Sequence, residues 1–148
     1  RGLGDVYKRQ LNYKLQEMKN KNVDLKYFIT IPKDLEINVF DLNIVLGNLL
    51  NNAIEAIEKA ENKYFFISIY FEKNILFIHT ENTYDGKIIK KKETLLTTKE
   101  NRELHGLGLK SISSILEKYD GDILCDYNDK YFITDVMLCN INFEHKKK

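Results

Sequence analysis

Leu46-Gly47-Asn48-Leu49-Leu50-Asn51-Asn52-Ala53-Ile54-Glu55-Ala56-Ile57 is the stretch whose reading decides the fold. At 3.6 residues per turn, Leu46, Leu50, Ala53, Ile54 and Ile57 form one apolar stripe able to lie on a sheet. Asn48, Asn52 and Glu55 fall at i, i+4 and i+7, so they leave the same helix together on another side. Asparagine is a mediocre helix former, and a solvated face ordinarily carries Lys or Glu. Clustered amide and carboxylate oxygens suit a hard cation such as Mg²⁺, which takes oxygen ligands and keeps several waters. The plain alternative is a solvated helix in a chain rich in asparagine.

A second stretch, His105-Gly106-Leu107-Gly108-Leu109-Lys110-Ser111, shifts the balance. A glycine pair there opens an amphipathic helix with Leu109, Ile112, Ile115, Leu116 and Tyr119 on its apolar side. Glycine lets the backbone approach a ligand, and the first N–H groups of a helix have no internal partner. With the helix dipole they form a phosphate site. Gly-x-Gly alone is a weak signal. Following an Asn-faced helix and a polar, lid-like stretch, it is a rare one.

Asn48-x-x-x-Asn52-Ala53 resembles the N box, and Gly106-x-Gly108-Leu109 the G2 box, of the GHKL ATP-binding fold. Histidine kinases, Hsp90, type II topoisomerases and MutL share that fold. The wording LGNLLNNAIEA, then ENTYDGK, TTK and HGLGLKSI, is similar to Agr-type quorum-sensing receptor histidine kinases. The likeness runs in order from about Leu25 to Leu138.

The rest of the sequence bounds the reading. With 148 residues, 43% hydrophobic and 30% charged, the chain has the make-up of one soluble globular domain. A net charge of +1 argues against an electrostatic nucleic-acid binder, and no apolar run reaches membrane-spanning length. Cys125 and Cys139 match no zinc spacing and read as two buried reduced thiols.

Residues 1–10 (RGLGDVYKRQ) read as a sequencing scar, since Asp5 to Gln10 resembles a translated transposon end. Leu11 to Asn22 reads as the end of an upstream linker or dimerisation helix, and 23–148 as the catalytic domain. Val23 to Ile31 predicts a strand, stopped by Pro32. Asp41 is the expected cap of a helix running to about Lys59. Tyr64 to Glu72 and Ile75 to Glu81 predict a hairpin turning at Lys73-Asn74. His79 in its second strand reads as structural, and Asn82 to Gly86 as a turn. Lys87 to Leu104 is a polar connection, either a solvated loop or a lid. Gly121 is the expected left-handed cap of the second helix. Asp122 to Tyr127 and Lys130 to Cys139 predict a second hairpin. The whole is an α/β two-layer sandwich, its mixed and mostly antiparallel sheet covered by helices on one face.

The resemblance implies ATP and Mg²⁺ as ligands, Asn52 as the metal ligand, and Asn48 as support for the phosphates or metal waters. These two amides are the catalytic pair. Gly106, Gly108 and the N–H groups of Leu107 and Leu109 would cradle phosphates. Lys99 would reach them from the lid, and His105 would assist or cap. Asn82 stands where the family's Asp-x-Gly-x-Gly pattern begins, a pattern this chain lacks, and would accept from the adenine amine through its carbonyl. Glu55 would contact base or ribose, or simply solvate the helix end. In related hydrolases a Glu one turn before the metal-binding Asn activates water; Asn48 stands there, and Ile44 one turn earlier is apolar. None of His79, His105 and His145 has the helical context of a phosphoacceptor. The implied partners are the histidine-bearing dimerisation helices of the same kinase and a response regulator, with the domain in the cytoplasm. Two other readings stay open: a catalytically silent nucleotide-gated module, and an ATPase or serine-kinase anti-sigma factor of the same fold.

Overall fold

The computed structural model describes residues 5–87 and 109–143. Its elements are α1 (Asp5–Asn20), β1 (Asp24–Ile29), α2 (Val39–Glu58), β2 (Tyr64–Glu72), β3 (Ile75–Thr83), α3 (Leu109–Lys118), β4 (Asp122–Tyr127) and β5 (Tyr131–Leu138). The strands form one sheet in the order β1-β2-β3-β5-β4. Among the described strands only the β1–β2 pair is parallel, as a chain leaving β1 through a helical crossover requires. The α/β sandwich with a mixed sheet is therefore the fold, as the alternation of strand and helix patterns predicts.

Burial follows strand alternation. Phe65, Ile67 and Ile69 of β2, Leu76 and Ile78 of β3, Val136 and Leu138 of β5 and Ile123 of β4 face the helices and are buried. Against them lie Leu42, Val45, Leu46, Leu49, Leu50, Ala53 and Ile57 of α2, with Ile112, Ile115 and Leu116 of α3. Tyr7, Leu11, Leu15 and Met18 of α1 complete the same core. The helix expected over Leu11–Asn22 thus starts earlier, at Asp5, and stops at Asn20. Asp5 to Gln10 form its first turns, and Gln10 Nε2 donates to the Asn43 side chain at 2.6 Å and its carbonyl at 2.8 Å.

Three local expectations are corrected by contacts made from afar. Asn38, not Asp41, caps α2, its side chain accepting from the Phe40 and Asp41 N–H groups. Asp41 sits in the first turn, where its carboxylate takes Lys118 Nζ at 2.7 Å and the Tyr119 hydroxyl at 2.8 Å. At the end of α3 the left-handed residue is Asp120 (φ 52), not Gly121. Gly121 N–H returns to the Leu116 carbonyl at 2.7 Å, and Asp120 N–H to that of Glu117 at 3.2 Å, closing a Schellman motif. Gly121 is needed because a Cβ there would fall on the Met137 carbonyl oxygen. The third correction concerns Asn82 and Thr83, which extend β3 instead of starting a turn, because Phe65, Phe132 and Tyr131 pair with them from both sides.

Both hairpins are as expected in place. Lys73 and Asn74 have φ of 52° and 66°, the left-handed pair that a two-residue turn needs. Asn128 Oδ1 accepts from the Lys130 and Tyr131 N–H groups at the other turn. Lys63 closes the far end of α2, its Nζ donating to the carbonyls of Ile57 (2.9 Å), Glu58 (3.3 Å) and Ala60 (2.9 Å). Neither cysteine is in a disulfide, and both are half-buried, not fully buried as expected.

Candidate functional site

The apolar stripe of α2 fixes how its polar positions are presented. With Leu46, Leu50, Ala53, Ile54 and Ile57 turned inward, Asn48 and Asn52 are half-buried and Glu55 is exposed. Asn48 and Asn52 lie one turn apart, about 6 Å along the axis. Asn48 Nδ2 donates to the Ile44 carbonyl at 2.9 Å, a back-bond to the preceding turn. That bond commits the donor end of the Asn48 amide. Amide side chains carry the kind of oxygen that a hard cation takes. Among the described residues no three His, Cys, Asp or Glu side chains gather as a metal site, so a cation here would be held by amides, water and its ligand's own oxygens.

The sheet beneath changes character along β3. Leu76 and Ile78 are apolar, but Thr80 and Asn82, which follow on the same face, are polar and buried. Thr134 on β5 pairs with Thr80 and is buried as well. Buried polar groups need partners, and these cluster at one end of an otherwise apolar face. Asn82 is 5% exposed, and its Nδ2 donates to the Thr83 carbonyl at 3.0 Å. That bond commits the donor end and leaves the carbonyl oxygen as the acceptor, the polarity an exocyclic amine requires. Thr83 Oγ1 accepts from the Tyr64 N–H at 3.0 Å and pins the end of the strand.

Beside Asn82 lies its cross-strand partner Phe132, stacked on Tyr127 with ring centroids 6.0 Å apart and met edge-on by Tyr84 at 5.9 Å. The Tyr84 hydroxyl donates to the Asn128 carbonyl. Burial raises the Tyr84 hydroxyl above its ordinary value, with Asp129 and Asp85 adding to the effect, so it stays a donor. A cleft of about 530 Å³, lined by Lys59, Ala60, Thr83, Tyr84, Asp85 and Lys130 among others, adjoins this end of the sheet. Thr80, Thr134 and the aromatic cluster were missed in the sequence. The available signal was the alternation of β3, which sets Thr80 and Asn82 in register with Leu76 and Ile78.

The remaining expected site residues divide in two. Lys99, His105, Gly106, Leu107 and Gly108 lie outside the described residues, as does the polar connection from Ile88 to Leu104. Leu109, which follows the glycine pair in sequence, is the first described residue of α3. His79 stands on the opposite sheet face from Asn82, with Nδ1 2.6 Å from Asp135 and Nε2 2.8 Å from Glu81. Burial pulls its imidazole down, but the hydrogen bonds to Glu81 and Asp135 outweigh this and hold it above the usual histidine value. Its place between two carboxylates is a structural one.

The family model described as the GHKL domain matches residues 37–139. The chain belongs to the GHKL family. Solved structures carry the same fold for histidine kinases. The nucleotide-free catalytic domain of histidine kinase ThkA superposes with a TM-score of 0.70 at 18% identity, covering 94% of this GHKL chain and 92% of that one. The histidine kinase domain of the Erythrobacter litoralis blue-light-activated kinase EL346 gives 0.71 at 10%, covering 93% and 60%. Full-length ShkA in complex with AMPPNP gives 0.68 at 11%, covering 99% and 31%. At these identities the likeness is one of fold. A 50-residue stretch is 38% identical to the pre-mRNA-splicing factor RSE1 of Candida albicans, but it spans 34% of this chain and only 4% of that protein. No helix among the described residues is long and apolar enough to cross a membrane.

Proposed function

We propose that this GHKL domain is the ATP-binding catalytic domain of a sensor histidine kinase, passing the γ-phosphoryl group to a histidine on a separate helix. One observation carries the reading: two half-buried amides on α2, Asn48 and Asn52, stand on the helix that packs across β3, whose buried Asn82 keeps its carbonyl as the acceptor. In this reading Asn82 selects adenine through its exocyclic amine, and Asn52 holds Mg²⁺ with Asn48 beside it. Gly106, Gly108 and the N–H groups of Leu107 and Leu109 cradle the phosphates, with Lys99 and His105 nearby. Bound Mg²⁺ would neutralise phosphate charge and orient the triphosphate.

The chain's own groups favour transfer over hydrolysis. Asn48 is an amide and takes no proton at neutral pH, and Ile44 one turn earlier is apolar. Neither of the two positions one and two turns before Asn52 offers water a base. A neutral imidazole needs none: its ring nitrogen lone pair forms the N–P bond as the bond to the bridging oxygen breaks. ADP leaves with that electron pair, and the other ring N–H gives its proton to solvent. The ENTYDGK and HGLGLKSI wording supports a receptor kinase of the Agr type, with this domain in the cytoplasm and a response regulator downstream.

The reading is tested by calorimetry with ATP, with and without Mg²⁺. Asn52→Ala should weaken Mg-ATP binding about 10-fold or more while changing metal-free binding little. Equal loss in both conditions sinks the metal assignment, and no ATP binding by the unaltered chain sinks the reading itself.

A further inference from the structure

Helices α2 and α3 pack against each other over one face of the sheet and share its core. Apolar contacts of this kind choose which side of each helix turns inward, but they are non-directional and hold the register along the axes loosely. One polar junction supplies the missing direction. The Tyr119 hydroxyl, just past the end of α3, accepts from the Asn38 N–H at 3.1 Å and donates to Asp41 Oδ2 at 2.8 Å. Lys118 Nζ reaches the same oxygen at 2.7 Å. The Tyr119 carbonyl accepts from the Cys139 N–H at 3.0 Å, so this corner is also tied to the end of β5. Asn38 caps α2 and Asp41 lies in its first turn, so the junction joins the start of α2 to the end of α3. The Lys118 side chain is 53% exposed and its ion pair is worth little, whereas Asp41 is 16% exposed and its bond to the Tyr119 hydroxyl is sheltered from water.

We propose that Asp41 and Tyr119 are positioning residues for the nucleotide site, holding the axial register between α2 and α3. Packed helices joined start to end run antiparallel. Leu109, the first described residue of α3, lies about 15 Å before Tyr119, and Asn52 lies about 16 Å past Asp41 along α2. The two points stand at equal distances from the junction, so its bonds set the start of α3 level with Asn52. This rests on the reading above, in which Asn52 holds Mg²⁺ and the N–H groups around Leu109 meet the phosphates. Asp41 and Tyr119 touch no nucleotide in it and act through the two helices. A metal ligand and a phosphate donor that serve one triphosphate tolerate little slip, because hydrogen bonds weaken beyond about 3.2 Å. One turn of slip along a helix is about 5.4 Å. The base is held differently. Asn82 stands on β3, which is paired on both sides by β2 and β5, and its place does not depend on α3. The triphosphate end of the ligand therefore depends on the junction, and the base end does not.

The test uses the whole chain with Mg-ATP and adenosine as probes, followed by NMR titration, with circular dichroism to check the fold. Tyr119→Phe keeps the ring packed on the core and removes only the hydroxyl. Asp41→Ala removes the acceptor for both Tyr119 and Lys118. Each should weaken Mg-ATP binding about tenfold while adenosine binding stays within about twofold. Each should also slow label transfer at saturating ATP to a purified helical hairpin bearing the histidine of the cognate kinase. Asp41→Asn keeps an acceptor for the hydroxyl and should return ATP affinity to within about threefold of the unaltered chain. Should Asp41→Ala fail to fold, Tyr119→Phe decides. Equal loss for ATP and adenosine would make the junction a plain stabiliser of the fold and overturn the proposal. Unchanged ATP affinity in folded Tyr119→Phe would overturn it too, and both results leave the kinase reading intact. Absence of ATP binding in the unaltered chain removes that reading and the positioning role with it.

Discussion

Replacing Asn82 tests the base-recognition half of the site with little room for a second interpretation. Asn82 is buried between Phe65 and Phe132 across the sheet, and its donor end is already committed to the Thr83 carbonyl. Asn82→Ala removes the acceptor. A net hydrogen bond is worth about 1 kcal/mol, and a buried amine left without an acceptor costs a further 1–3 kcal/mol or so. ATP affinity should then fall roughly 30- to 1,000-fold. Purine riboside triphosphate, which has no exocyclic amine, should lose less than about threefold, so the variant also loses its preference between the two nucleotides. Calorimetry on the pair of nucleotides with both proteins gives the full cycle. Asn82→Asp makes the opposite point. It keeps an acceptor for the amine but sets a carboxylate against the Thr83 carbonyl in a buried site, so stability without ligand should drop by about 2–3 kcal/mol while the ATP preference survives. If Asn82→Ala weakens both nucleotides by the same factor, Asn82 shapes the strand and does not read the base.

Three further outcomes follow from other parts of the chain. The imidazolium of His79, held by Glu81 and Asp135, has a raised folded-state pKa, so its contribution to stability is full below the ordinary value of about 6.5 and is lost as pH rises through the folded value. Denaturant unfolding of wild type and His79→Gln should differ by about 1 kcal/mol near pH 6 and converge toward pH 9, whereas a gap that widens with pH would contradict the paired cation. Lys63→Met removes a cation from the three carbonyls at the end of α2 and should cost about 1–2 kcal/mol in thermal unfolding; no change would make Lys63 a solvated bystander. Gly108→Val should abolish ATP binding in a domain whose circular dichroism is unchanged, and normal binding would reduce the glycines to a helix cap.

What was legible in the sequence was whatever local periodicity controls. The α2 stripe, the Lys73-Asn74 turn and the Asn128-Asp129 turn are each set by residues within a few positions of one another. The misread positions are those decided by long-range contacts. Asn38 and Asp41 are equally good caps by type. The choice falls to Asn38 because Asp41 is taken by Lys118 and Tyr119, some 77 residues downstream. Gly121 looks like a left-handed cap, but its freedom is spent on clearing the Met137 carbonyl in a neighbouring strand while Asp120 takes the positive φ. Asn82 has turn-forming composition on its right, yet ladders from β2 and β5 hold it in the sheet. That Asn48 and Asn52 stand one turn apart was readable because both lie on one helix. The buried Thr80–Thr134 pair was not, because it forms only when β5 is laid beside β3.

The most direct test of the transferase account compares two fates of one labelled γ-phosphoryl group. The chain is incubated with Mg²⁺ and labelled ATP, alone and with the histidine-bearing hairpin. The account predicts slow phosphate release in both cases, and label on the hairpin in an acid-labile form only when the hairpin is present. Brisk phosphate release without the hairpin would make the domain a hydrolase, and tight ATP binding with neither product would make it a silent nucleotide-gated module.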